Sequence, residues 1–373
     1  MNLIFYFKEI TSKFRNQIFH FVSSKLFVLF ALIMVLSTLA ANSQSDTLIQ
    51  IKNVNNYILH YDSVISVRIN ANSEIDFFEI KGDGFYYDIR PNVSISNKIS
   101  LNYRFISLAF GFTPKFIPGN NDNDMEGKTK AFSLGLQLHP NHWLQEFKYA
   151  KIKGFYLYNT ADNNAGWTPG KDPYIQFPDL KVQFFRGSTG YKFNPNFSLS
   201  AISSLTERQI KSSGSFIPFL NYEYFIIDNK SKNTAQQTSQ RTNNFSLVAS
   251  LGYMYTFVIG SKFYTSLGVF PGGGFQYTHL LTRMPDGNLE NNYTDPVLRL
   301  AEKAAIGYNS KKFFTGAEIS LSQASHNQKN SSVQTKATRA YFQVFLGYRF
   351  NAPSFIKSKT DLVKNNSFGI IKE

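Results

Sequence analysis

The sequence contains no cysteine, which excludes disulfide frameworks, zinc–thiolate sites, thiol nucleophiles and lipid attachment through an N-terminal Cys. Beyond residue 40 it also lacks any long apolar run. No later segment therefore offers the roughly 20 consecutive apolar residues that a membrane-crossing helix needs. Acidic residues are few, 25 against 39 Lys and Arg, for a formal charge of +14. The basic residues are scattered and not gathered into the patch or stripe that nucleic acid requires, so no nucleic-acid partner is expected. Anionic outer-membrane lipid is the simpler partner for that excess.

What the chain has in abundance is aromatic side chains, 37 Phe and 21 Tyr, while its mean hydropathy stays below zero. Apolar residues are plentiful but dispersed. A transmembrane β-barrel distributes them in this way, through short alternating strands with aromatic girdles at both interfaces.

Residues 1–25 are basic and irregular, Leu26–Leu39 (LFVLFALIMVLSTL) supply one apolar run, and the small residues Ala40, Ala41, Asn42 and Ser43 follow. This order reads as a secretory signal peptide over residues 1–43, cleaved before Gln44. The rival reading, an uncleaved anchor, has a short run for a hydrocarbon core of ~30 Å. The leader carries Lys8, Lys13, Arg15 and Lys25 against Glu9, so its removal takes three charges from +14 and leaves +11.

The remainder alternates with period two, which places successive side chains on opposite faces of a strand. Phe245, Leu247, Ala249, Leu251, Tyr253, Tyr255 and Phe257 share one face, with Ser246, Ser250, Gly252 and Thr256 on the other. Phe132–Leu138, Phe197–Leu205, Phe313–Leu321 and Phe342–Phe350 repeat the pattern. Between Phe105 and Ile106 the phase slips, which a β-bulge would restore, and Pro271-Gly272-Gly273-Gly274 reads as a bend. Short turns such as Asn194-Pro195-Asn196 and Asn309-Ser310-Lys311 contrast with long polar loops at 114–128, 228–243 and 282–296. Short periplasmic turns and long external loops are the outer-membrane arrangement.

The expected fold is an all-β, antiparallel up-and-down transmembrane barrel over residues 63–350. It follows an N-terminal periplasmic segment, 44–62, and precedes a C-terminal periplasmic tail, 351–373. The strands number about 12, with 10 or 14 open, since a single-chain barrel with both ends in the periplasm needs an even count. Counts from the two ends disagree on which side the loops between Asn159 and Asp228 face. A strand within Ser63–Ile80 and a different count over Phe197–Ile226 would reconcile them.

Glu207–Phe216 (ERQIKSSGSF), Arg90-Pro91-Asn92 before Tyr103-Arg104-Phe105, and Gly154-Phe155-Tyr156-Leu157-Tyr158-Asn159 together resemble an uncharacterised outer-membrane family of Bacteroidetes-type bacteria, domain of unknown function 4421. The resemblance spans roughly residues 60–350 and implies an outer-membrane barrel. It carries no assigned activity, and so no site residue.

By alternation Asp88, Arg90, Asn102, Arg104, Lys181, Glu223, Arg299, Lys303, Glu318, Arg339 and Arg349 are expected to point inward. A charge inside a barrel must be hydrated or paired, so these residues describe either a plug of ion pairs or a wetted lumen with a cationic excess. His139 and His142 flank a Pro-Asn turn beside Trp143 and read as interfacial residues, not metal ligands. No cofactor is expected. Ser212, Ser213 and Ser215 lack a neighbouring His, and Glu207, Arg208, Gln209 and Lys211 with Gly214 read as a turn whose charges pair locally. The chain is thus read as a non-enzymatic barrel, structural or an occluded channel, inserted into outer-membrane lipid by the outer-membrane assembly machinery. A lipid-modifying enzyme and a surface binding module are the alternatives.

Overall fold

The computed structural model describes residues 52–82, 85–93, 95–117, 120–230, 239–327 and 334–365. The leader expected at 1–43 and its cleavage point lie outside them. In chain order the elements are β1 (Lys52–Asn55), β2 (Ile58–His60), β3 (Val64–Gly82), β4 (Phe85–Arg90), β5 (Ser96–Tyr103), β6 (Ile106–Phe112), α1 (Asn123–Glu126), β7 (Lys130–Leu138), β8 (Trp143–Leu157), α2 (Thr160–Asn163), β9 (Gln176–Tyr191), β10 (Glu207–Gln209), β11 (Ser213–Asn229), β12 (Ser239–Ile259), β13 (Phe263–Met284), β14 (Gly287–Asn309), β15 (Phe313–Asn327), β16 (Gln334–Asn351) and α3 (Ser354–Asn365).

β3, β5–β9 and β11–β16 form a closed antiparallel barrel of 12 strands. The last strand closes on the first from Gln334↔Lys81 to Asn351↔Val64. Closure leaves no unpaired edge, the condition for placing a sheet in hydrocarbon. β4 is a patch at one rim, paired with the end of β3 and with Leu157 and Tyr156 of β8. The end at which the barrel starts and finishes is called here the near end, and the opposite one the far end. Among the described residues no helix is long and apolar enough to cross a membrane.

Alternation sets the two faces as expected. Leu251, Leu267, Leu298 and Ile306 stand outward, 55, 56, 71 and 52% exposed, an apolar band that only lipid would cover. Toward the near end the band runs into paired rings: Trp143 with Tyr191, Phe216 with Tyr253, Phe263 with Tyr308, and Tyr348 with Phe350. Inward-facing glycines make room for large rings. A Cβ on Gly347 would sit 2.1 Å from the Phe314 ring, so Phe314 can lie fully buried across the lumen.

Several local expectations are corrected. The phase slip at Phe105 is no bulge: β5 and β6 form a hairpin from Tyr103↔Ile106, with Arg104 at φ 49° in the tight turn. Pro271–Gly274 is strand interior, because β13 runs unbroken through it. A Cβ at Gly274 would fall 1.9 Å from the Leu247 carbonyl oxygen, so glycine there marks a close approach of β12 and β13, not a bend. The polar stretch 282–296 is mostly a ribbon, with β13 and β14 paired out to Met284↔Gly287. Polar residues on both faces are what a hairpin standing clear of the membrane should carry.

Phe197–Leu205 is not a strand. Residues 192–212 leave β9 and return to β11 at the near end, folding back into the lumen through turns such as Ile202 N to Leu199 O and Leu205 N to Ser200 O. The Ser/apolar alternation of this stretch reflects a segment that buries Phe197, Ile202 and Leu205 while satisfying its own backbone with serine hydroxyls. Because the excursion starts and ends on one side, it removes the conflict in strand count. Asn194-Pro195-Asn196 opens this insert and is not a complete turn between strands.

The insert is fixed from below by a small sheet in which β10 pairs with β2, and β2 with β1. Glu207–Gln209 is a strand and not the expected turn, and the partners are mostly distant in sequence: Glu207 pairs with His60 at 3.2 Å, Arg208 donates to the Asn309 carbonyl, Gln209 to the Asn196 carbonyl, and Lys211 lies over the Tyr57 ring. Above it, Phe197, Ile202 and Leu205 join Ile217, Phe219, Met254, Tyr264, Phe270, Phe314 and Phe345 in an apolar layer across the inside of the barrel.

Candidate functional site: a charged belt in the lumen

Above the apolar layer, the inward positions become charged. Glu223 on β11 receives Arg186 from the neighbouring strand β9, at 2.9 Å, and Arg339 from β16, at 2.8 Å. β16 lies across the barrel from β11 in strand order, so this triad spans the lumen. The shared carboxylate is nearly enclosed, its side chain 12% exposed. Such a group is stable only with cations and hydrogen bonds in place.

A second cluster lies on β3, β15 and β16. Glu318 accepts a hydrogen bond from Gln343, whose Oε1 accepts from Asn70 at 3.0 Å, and the Tyr341 hydroxyl is 2.6 Å from the same oxygen. Arg68 lies 3.9 Å from Glu318 and also donates to the Ser203 carbonyl of the insert. Arg68 thereby ties the belt to the segment below it.

A cavity of about 310 Å³ opens within this belt. Its floor is the apolar layer, through Phe219, Phe270 and Ala301. One wall, on β5–β7, is built mostly of small residues, Ser100, Ser107, Ala109, Ser133 and Gly135, with Lys98 and Gln137 beside them. Arg68, Lys98, Lys148, Arg186, Arg299 and Lys303 line it against Glu146 and Glu223, six cations to two anions.

Of the expected inward charges, Glu223, Arg299, Lys303, Glu318 and Arg339 meet in this belt. Asn102, also expected inside, is fully buried and donates to Ser66. Arg349 is inside but lower, fully buried between the Tyr61 and Phe314 rings, and it donates to the carbonyls of Leu205 and Ser310 and to Asn309 Oδ1. It fastens the insert and does not line the cavity. Asp88 and Arg90 pair with each other at the far rim, where Arg90 lies 3.5 Å over the Tyr158 ring and Asn159 accepts from the Asp88 amide.

Two residues are elsewhere. Arg104 is in the β5–β6 turn at the near end, paired with Asp361 of α3, because the phase slip is a turn and breaks the alternation. Lys181 faces outward. β9 puts Leu180, Val182, Phe184 and Arg186 inside, and Lys181 lies in register between Lys153 of β8 and Asp228 of β11. Near the far end the strands carry charge outside, with Lys153 paired to Asp179 and Asp228 to Arg283. Their inner face there packs Ala150, Phe155, Leu180, Val182 and Phe184. Strand that stands in water reverses the membrane rule of apolar outside and polar inside.

The belt residues missed from sequence are Arg68, Lys98, Glu146, Lys148 and Arg186. For Arg68 the signal was present, since Arg68, Asn70 and Asn72 alternate with Val67, Ile69 and Ala71. For Arg186 it was not, because apolar residues occur on both faces of β9.

The serines and histidines hold turns. Ser213 and Ser215 accept hydrogen bonds from Asn194, and Ser212 from the Val258 amide. His142 Nδ1 meets the Lys192 carbonyl, and His139 Nδ1 lies 2.9 Å from Ser200 Oγ on the insert. Burial holds the His139 imidazole down at about 4, so it is neutral at neutral pH, and its Nε2 is enclosed without a partner. Burial likewise lowers Lys192.

The sequence matches over residues 44–350 the family described as Domain of unknown function (DUF4421). The chain belongs to this family. The DUF4421 strings fall at both ends: ERQIKSSGSF runs through β10 into β11 beside the insert and Tyr103-Arg104-Phe105 forms the β5–β6 turn at the near end, while Arg90-Pro91-Asn92 and Gly154–Asn159 meet at the far rim. No curated protein matches the chain. Among solved structures it is similar to the outer membrane protease OmpT from Escherichia coli, at 7% identity and a TM-score of 0.38, covering 80% of this chain and 99% of that one. It is also similar to the beta domain of the Bordetella autotransporter BrkA, at 9% identity and 0.34, covering 78% and 99%. A third is Ail of Yersinia pestis, at 10% identity and 0.22, covering 77% and 98%. No residue role is carried over from them.

Proposed function

We propose that this DUF4421 chain is an outer-membrane barrel that neither conducts nor catalyses, its near end facing the periplasm and its lumen closed by residues 192–212. The observation that carries this reading is the insert itself. Phe197, Ile202 and Leu205 are buried across the lumen, and Arg349 and Arg68 bind its backbone. The apolar outer band and the ring pairs supply the lipid-facing surface. The leader 1–43 supplies export, and the aromatic-ended last strand, Gly347-Tyr348-Arg349-Phe350, suits delivery by the outer-membrane assembly machinery.

Planar-bilayer recording tests the closure. Purified full-length protein should give no ohmic steps in molar salt, whereas a variant with residues 197–206 replaced by a Gly-Ser linker should give them. Steady steps from the unaltered protein would overturn the reading.

A further inference from the structure

Buried charges need counter-charges, and two cations of the belt have none of their own. Among the described residues no carboxylate lies within ion-pair distance of Arg299 or Lys303. Arg299 donates Nε to Ser322 Oγ at 3.0 Å, and Lys303 lies 5.9 Å from the Phe219 ring centre. Of the acids of the belt, Glu223 is already shared by Arg186 and Arg339, and Glu318 accepts from Gln343 with Arg68 at 3.9 Å. Glu146 accepts from Gln137 on the opposite side. Both cations line the cavity of about 310 Å³, on the side facing the wall of small residues.

From this juxtaposition of two cations that have no ion-pair partner among the described residues and line one cavity, we infer that the belt is a binding site for a small, doubly charged oxyanion of the phosphate type. The guanidinium of Arg299 offers a planar fork that pairs two oxygens at once, and the Lys303 ammonium a point charge. Ser100, Ser133 and Ser320 line the same cavity and supply neutral donors. The cavity volume lies at the low end of the range of roughly 300–1,000 Å³ for small-molecule sites, so the ligand is a free ion or a small phosphorylated molecule and not a polymer. A lipid headgroup offers the same chemistry, but it would have to leave the bilayer and cross the barrel wall.

Isothermal titration calorimetry on the full chain folded in detergent tests the site, with inorganic phosphate and glycerol 3-phosphate as separate titrants at constant ionic strength. One saturable site is expected for at least one of the two. Arg299→Met with Lys303→Met should weaken it at least tenfold, while the outward Lys181→Met leaves it unchanged. Saturation by glycerol 3-phosphate alone would assign the phosphomonoester, and by inorganic phosphate the free ion. Heat-modifiable migration checks folding of each variant, and Lys303→Gln alone serves if the double variant does not fold. Absence of saturable heat with both titrants, equal binding of chloride, or a folded double variant that binds like the parent would overturn the inference. The site does not depend on closure of the lumen: ohmic steps with intact binding would overturn the closed reading and leave the site standing.

Discussion

Glu223 is the residue on which the belt turns, because one carboxylate serves two guanidiniums from opposite walls. Removing its charge leaves Arg186 and Arg339 to repel each other and Arg299 in a nearly enclosed space. Breaking a buried pair in this way costs about 3–5 kcal/mol. Glu223→Gln should therefore lower the unfolding free energy of the barrel in lipid vesicles, read from urea titration, by an amount in that range, with a matching fall in the midpoint. An unchanged midpoint would show that the belt is open to water and screened. Alternation alone brought Glu223, Arg299, Lys303, Glu318 and Arg339 to one list, since each sits on a strand with a consistent greasy outer face. It failed at Lys181, where the strand leaves the membrane and the faces exchange character. It also failed at Arg104, where two strands had been read as one.

At the scale of elements, the insert is the feature that sequence concealed. Its serines and apolar residues imitate a strand over Phe197–Leu205, and nothing local distinguishes a segment covered by a barrel wall from one covered by a neighbouring strand. The insert also carries a pH dependence, through the contact of its Ser200 with His139 in the β7–β8 turn. The imidazole titrates at about 4 when folded, because burial disfavours its charge, and near 6.5 when unfolded. The unfolded state therefore takes up a proton first as pH falls. Stability present above about pH 6.5 is lost progressively down to about pH 4, by about 3 kcal/mol at 1.36 kcal/mol per pKa unit. His139→Gln keeps a polar partner for Ser200 but removes the titration. Proteolysis within 192–212 should rise between pH 7 and pH 5 in the parent protein and stay level in this variant; an equal rise in both would dismiss His139 as its source.

The barrel is asymmetric along its axis, and that asymmetry is the ground for the orientation proposed above. The short connections β5–β6, β12–β13 and β14–β15 and both ends of the barrel lie at the near end, while the far end extends long ribbons such as β13–β14 with charge on their outer faces. A barrel assembled from the periplasm translocates its ribbons outward and keeps its short turns and termini behind. α3 follows the last strand on that same side, held through Asp361 to Arg104 and through the Ala352 amide to the Ser63 carbonyl. Because the chain has no cysteine of its own, single introduced thiols report position without background. Asp286→Cys, in the β13–β14 turn, should react with a membrane-impermeant maleimide in intact cells. Lys311→Cys, in the β14–β15 turn, should react only after the outer membrane is permeabilised. The reverse pattern would turn the barrel over and place the insert, and the closed end of the lumen, toward the outside.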